Sequence, residues 1–150
     1  MNDRFKLKCF NKKQNKMYEV RSISYYQGNV KRIEVDDNGK ILIFDEYENN
    51  IGVTVLIQCT GLKDKNAKLI YEGDIVRVGN SVFEIVNELG CFMLATKTNI
   101  EAIHLFPNSW NDNVYPLSQL YFEYDNEENY IDQLEVIGNI YENKELLDEN

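Results

Sequence analysis

A single histidine, His104, serves the whole 150-residue chain. Serine and cysteine hydrolases need a base beside the nucleophile. His104, however, is flanked by Ile103, Leu105 and Phe106, so it reads as a packing residue, and no glycine-serine-glycine elbow accompanies it. The three cysteines, Cys9, Cys59 and Cys91, are widely separated and odd in number. That spacing argues against a disulfide framework and offers no Cys-x-x-Cys pair for zinc, so reduced thiols acting as small hydrophobes are expected. The eight glycines are scattered singly, which leaves no phosphate-cradling loop. Apolar stretches are short: residues 53–57 are interrupted by Thr54, far from the roughly 20 residues of a membrane span. Residues 1–10 alternate charge with apolarity and lack the apolar stretch of a secretory signal. These absences predict a cytoplasmic chain that is not an enzyme, with no cofactor, no metal site and no membrane contact.

What is present points to β structure. Hydrophobic residues make up 43% of the chain and aromatics 12%, led by ten tyrosines, a residue that favours strands and contact surfaces. Phe5, Leu7 and Cys9 alternate with Lys6 and Lys8, the period-two signature of a half-buried strand. Alternation resumes over 17–23, breaks at Gln27-Gly28-Asn29, and returns at Val30, Ile33 and Val35. Asn38-Gly39 then provides a strong hairpin signal before a return strand over 41–44, because both residues tolerate positive φ. The acidic, polar stretch 45–50 suits a loop or the seam between two small β subdomains, 1–50 and 51–150. Beyond it, strand signals at 52–59, 69–71, 75–78, 82–86 and 91–95 form a meander with barrel-like spacing, and 60–67 reads as turn-rich. Residues 107–116 read as a loop, 117–121 as a short helix or a continued strand, 134–141 as a final strand and 144–147 as a terminal turn. The fold class expected is all-β with minor α.

Charge is distributed unevenly. Residues 1–50 hold ten Lys or Arg against eight Asp or Glu, 51–100 hold five of each, and 101–150 hold one against twelve, for a net charge of −9. The basic end is sharpest from Arg4 to Lys16, where six cations face only Asp3. Such asymmetry favours docking on a charged partner or association between copies.

The run Gln58-Cys59-Thr60-Gly61-Leu62-Lys63-Asp64-Lys65-Asn66, followed by Ile70-Tyr71-Glu72-Gly73-Asp74-Ile75-Val76, resembles the YopX family of phage and prophage proteins. Lys6-Leu7-Lys8 through Lys16-Met17-Tyr18 resembles the family's N-terminal hairpin, and Leu134-Glu135-Val136-Ile137-Gly138-Asn139-Ile140-Tyr141-Glu142-Asn143 its C-terminal signature. The chain departs from the pattern at Phe10 and Asn11, where tryptophan and aspartate are usual, and at Ala67, where glycine is usual. Alanine resists positive φ, so the turn at Ala67 is the one the departure puts in question. The resemblance implies an all-β protein of two subdomains whose C-terminal part is an SH3-like barrel, and it implies phage or prophage origin without a molecular activity.

Within these motifs Thr60, Gly61, Gly73, Asp74 and Gly138 carry a structural reading: glycines for reversal or a bulge, and hydroxyl or carboxylate acceptors for turn amides. A candidate binding surface is the acidic, aromatic stretch that includes Tyr124, Glu127, Glu128, Tyr130 and Asp132. A calcium loop is disfavoured there because Tyr130 occupies the sixth place from Asp125, where glycine belongs. The reading favoured is therefore a protein-binding module whose partner is another protein or a further copy of itself. The alternative is a nucleic-acid-binding barrel in which Tyr18, Tyr25 and Tyr26 stack on bases and Lys12, Lys13, Lys16, Lys31 and Arg32 meet phosphates. The pI near 4.6 weighs against it.

Overall fold

The computed structural model describes residues 3–47, 51–88, 90–96, 115–117 and 133–149. The described chain is built mostly of strands: β1 Leu7–Asn11, β2 Lys16–Tyr26, β3 Asn29–Asp37, β4 Lys40–Asp45, β5 Thr54–Lys63, β6 Leu69–Tyr71, β7 Asp74–Val78, β8 Ser81–Glu88, β9 Cys91–Ala95, β10 Tyr115–Pro116 and β11 Glu135–Asn139. Single 3-10 turns occupy Asp3–Phe5 and Ile51–Val53, and a 3-10 segment runs over Lys144–Glu149. The chain forms two compact units, residues 2–59 and 60–150. The division falls inside β5, beyond the acidic stretch that suggests a seam in the sequence. The tract from 60 onward that looks turn-rich in sequence continues as strand to Lys63.

In the N-terminal unit the strands stand in the order β4-β3-β2-β1-β5, every pair antiparallel. Two tight turns set the register. Gln27 and Gly28 adopt φ of 50° and 79°, and Asn38 and Gly39 adopt 54° and 85°, the doubly left-handed geometry that matches strand twist. Alternate residues Ile33, Val35, Leu42 and Phe44 turn to one face and join Cys9 and Tyr18 in a single cluster. Asn11 begins the β1–β2 turn by accepting hydrogen bonds at Oδ1 from the N–H groups of Lys13 and Gln14, each at 3.0 Å. The departure from aspartate loses the charge there and keeps the acceptor.

The C-terminal unit carries a five-stranded antiparallel sheet in the order β10-β9-β8-β7-β11, and the far half of β5 pairs with β6. This meander is compatible with an SH3-like barrel. One face of the sheet holds Val76, Ile85, Leu94 and Val136 against Ile70, Leu117 and Leu134. The opposite face holds Ile75 and Val82 against Leu147, with Val86, Met93 and Ala95 alongside. Burial on both faces explains why the strands read as nearly continuous apolar runs. Tyr115 and Pro116 pair with Leu94 and Met93, so Pro116 stands in a short edge strand, where the missing N–H is tolerated. Residues 115–116, the end of the expected 107–116 loop, are therefore strand, while 107–114 and residues 118–121 of the expected helix or strand lie outside the described residues.

Candidate functional site

The family-like motifs are local devices that fix turns. Asp64 is buried, and its Oδ1 accepts from the N–H groups of Asn66 and Lys68 while Oδ2 accepts from Val136 N–H, all at 2.9 Å. Ala67 keeps the turn at φ 62°, so the sequence departure leaves the left-handed conformation in place and makes an alanine hold it. Thr60 Oγ1 donates to Ile70 carbonyl at 2.9 Å and accepts from Leu62 N–H at 3.1 Å, bracketing Gly61, whose φ is 81°. Asp74 Oδ2 accepts from Tyr71 N–H at 2.8 Å. Gly73 N–H donates to Ile85 carbonyl at 2.7 Å, and Gly73 carbonyl accepts from Ile140 N–H at 2.8 Å. A Cβ at Gly73 would lie 3.0 Å from Tyr141 Cε2, and one at Gly138 would lie 2.8 Å from both Asn143 Oδ1 and Leu146 Cδ1. The β7–β11 register shifts between Val136 and Gly138, leaving Ile137 as the extra residue of a bulge.

A different feature marks the surface of the N-terminal unit. The large hydrophobic side chains exposed among the described residues, Phe5, Tyr25, Tyr26, Ile41 and Tyr47, all belong to this unit. Tyr25 and Tyr26 close β2 opposite Val30 and Asn29. Arg32, one strand over, pairs with Asp45 at the end of β4. Tyr47 follows two residues later, its N–H donating to Asp45 Oδ1 at 2.8 Å, and an ion pair joins Lys31 to the intervening Glu46. Register therefore brings Tyr25, Tyr26 and Tyr47 to one end of the sheet, at 64%, 62% and 92% exposure. Tyr18, which the sequence offers for base stacking, is buried instead. It stands edge-on to Phe44 with ring centroids 5.7 Å apart, and its hydroxyl donates to Gln14 Oε1 at 2.8 Å.

Among the basic residues of the N-terminal unit, Lys6, Lys16, Arg21, Lys31 and Arg32 have carboxylate partners. Lys6 meets Asp3 at 3.0 Å, Lys16 meets Asp37 at 2.7 Å, Arg32 meets Glu34 at 2.8 Å, and Arg21 pairs with Asp36. The Arg21 guanidinium holds the Asp36 carboxyl below its usual range. Lys12 and Lys13 take part in no ion pair among the described residues, but they occupy the β1–β2 turn. The first nine residues of β2, 16–24, separate that turn from Tyr25 and Tyr26, roughly 30 Å at strand rise. The Cys9 thiol is buried, and burial pushes it up to about 11, outweighing the hydrogen bond with Thr54 that lowers it. No group of three metal-ligating side chains occurs among the described residues.

Tyr124, Glu127, Glu128, Tyr130 and Asp132 lie outside the described residues, as does His104. Sequence reasoning does not single out Tyr47, which sits in a stretch dominated by acids, or Asp64, whose third hydrogen bond comes from a strand far along the chain. The Asp64-x-Asn66 spacing, typical of a side chain bonding its own turn, is the available signal for the latter.

No curated protein matches the chain. The solved structure of protein EF1440 from Enterococcus faecalis is similar over 95% of this chain and 96% of that one, with 25% identity and a TM-score of 0.60. Protein yopX from Bacillus subtilis is similar over 97% and 98%, with 15% identity and a TM-score of 0.53. The family described as YopX protein matches residues 6–148. With strands, turns and both terminal motifs inside that span, the chain belongs to the YopX family.

Proposed function

We propose that the chain is a non-catalytic protein-binding module of phage or prophage origin, working in the cytoplasm through the tyrosine-bearing end of its N-terminal sheet. The observation that carries this reading is the gathering of Tyr25, Tyr26 and Tyr47 at one exposed end of that sheet. Tyrosine contributes a large contact area at low entropic cost and concentrates at protein interfaces. The neighbouring cations Lys31 and Arg32 already have carboxylate partners. That pairing favours a protein partner over nucleic acid, whose affinity rests on cations available to neutralise phosphates. The family resemblance supports the phage origin, and the acidic stretch around Tyr124 and Tyr130 provides a second contact area in the same reading. The partner class includes a further copy of the chain.

A photo-reactive phenylalanine analogue at position 26 or 47, with position 13 as control, tests the reading in the producing cell. A discrete protein adduct is expected at 26 and 47 and not at 13. Adducts with nucleic acid, or equal labelling at all three positions, would overturn it. Light scattering at two salt concentrations shows whether the partner is a second copy.

A further inference from the structure

The second face of the C-terminal sheet is apolar around one acid. Glu84 lies on β8 between same-face neighbours Val82 and Val86, with Ile75 of β7 and Ala95 of β9 directly across from it. All four neighbours are buried, and Glu84 itself is half-buried. The segment after β11 covers part of this face: Leu147 joins Ile75 and Val82 in one cluster, with Ile140 and Leu146 packed against it. The approach is close because Gly138, opposite Ile75, has no side chain to hold Asn143 and Leu146 away. Within the segment, Asn143 N–H donates to Asn139 carbonyl at 2.8 Å and Leu146 N–H to Asn143 carbonyl at 3.0 Å. Those bonds are local, and the bond from Ile140 N–H to Gly73 carbonyl anchors only the root of the segment, so burial of apolar side chains contributes much of the hold beyond it.

We propose that residues 140–149 act as a latch over this face, controlled by Glu84: the neutral carboxyl favours the seated segment, and the carboxylate favours its release and uncovers Ile75 and Val82. Burial of Glu84 is the main influence, pushing its carboxyl up to about 7. Lys144, on the latch, lowers it, and Glu72, in the turn before β7, raises it. The Tyr141 phenol, also on the latch, is raised by burial and by Glu72 and Glu84, so it stays neutral throughout this range. Release solvates the carboxylate, and that gain grows as pH rises from about 4.5 to about 7 and is level above, while the attraction of Lys144 opposes it. The exposed apolar strip would then be available at neutral to alkaline pH and covered in acid.

Amide hydrogen exchange at pH 6 and pH 8, corrected for intrinsic exchange, tests the latch on the full chain. Protection of residues 140–149 is expected to fall about tenfold between the two pH values, with β7 and β8 changing much less. Glu84→Gln is expected to abolish the difference. Lys144→Met, which removes the opposing cation at an exposed position, is expected to move the transition to higher pH. The same pH dependence in Glu84→Gln, an unmoved transition in Lys144→Met, or simultaneous loss of protection through the whole C-terminal unit would overturn the proposal.

Discussion

Asp64 accepts a hydrogen bond from the backbone N–H of Val136, 72 positions further along the chain, at 2.9 Å. The same carboxylate closes its own turn through Asn66 and Lys68. One side chain thus ties the β5–β6 turn to β11, and the neighbouring backbone bond from Lys65 N–H to Leu134 carbonyl, 2.9 Å, reinforces the tie. Two of the sequence segments that resemble the family are joined at this point.

Replacing that carboxylate leaves three backbone donors without their acceptor. Asp64→Ala is expected to destabilise the chain by about 3 kcal/mol, given the cost of burying unsatisfied donors. Asp64→Asn, which keeps one acceptor oxygen, should lose roughly half as much. Urea unfolding followed by circular dichroism reads both values.

Ala67 stands at φ 62° in the same turn. A left-handed alanine is strained by about 1–2 kcal/mol, from which the greater chain entropy of glycine must be subtracted. Ala67→Gly is therefore expected to raise stability by about 0.5–1 kcal/mol. An unchanged or lowered unfolding midpoint would contradict this account of the turn.

The glycines separate into two classes. Gly28 and Gly39 have positive φ and open space within 4 Å of where a Cβ would stand, whereas an added Cβ at Gly138 meets Asn143 and Leu146 at 2.8 Å. Gly39→Ala is expected to cost about 1 kcal/mol through backbone strain alone. Gly138→Ala is expected to cost more, about 2 kcal/mol, through overpacking. Thermal unfolding of the two variants makes the comparison.

Glu84 gives stability a definite pH dependence. Its carboxyl rises from 4.5 to about 7 in the folded chain, so the folded state binds this proton more tightly than the unfolded state does. The stability attached to it is complete below about pH 4.5, declines as pH rises towards 7 and is level above that. Glu84→Gln is thus expected to exceed the natural chain by about 1 kcal/mol at pH 8, after allowance for partial solvation, with the advantage disappearing near pH 4.5. Denaturant midpoints at the two pH values read the sign directly.

The order of thiol modification follows from burial. Cys9 and Cys59 are buried and Cys91 is half-buried, and the Cys9 thiol is pushed up to about 11. Iodoacetamide at pH 8 is expected to label Cys91 first and to reach the other two only when urea unfolds the chain. Mass spectrometry of the labelled peptides identifies the site.

Much of this architecture is legible in the residues. The alternation of Ile33, Val35, Leu42 and Phe44 and the turns at Gln27-Gly28 and Asn38-Gly39 specify the N-terminal hairpins, because period and turn chemistry are local properties. Tyr18 reads as a candidate for stacking yet is buried, since alternation alone does not say which face is covered. Glu84 interrupts a nearly continuous apolar run in β8, and the covering of its face by the later segment carrying Leu147 is a long-range fact that local pattern does not contain. Asp64 has the same limitation, one of its three donors being Val136. Tyr25 and Tyr26 are visible in the sequence, but their grouping with Tyr47 requires the β2–β3–β4 register.

The tyrosine end of the N-terminal sheet is probed most directly by the triple variant Tyr25→Ser, Tyr26→Ser, Tyr47→Ser, carrying the photo-reactive analogue at position 29. Exposed positions contribute little to folding, so its unfolding free energy should stay within about 0.5 kcal/mol of the parent. The protein adduct formed by the parent with the same analogue should disappear. An undiminished adduct from a folded triple variant would contradict the assignment of this surface.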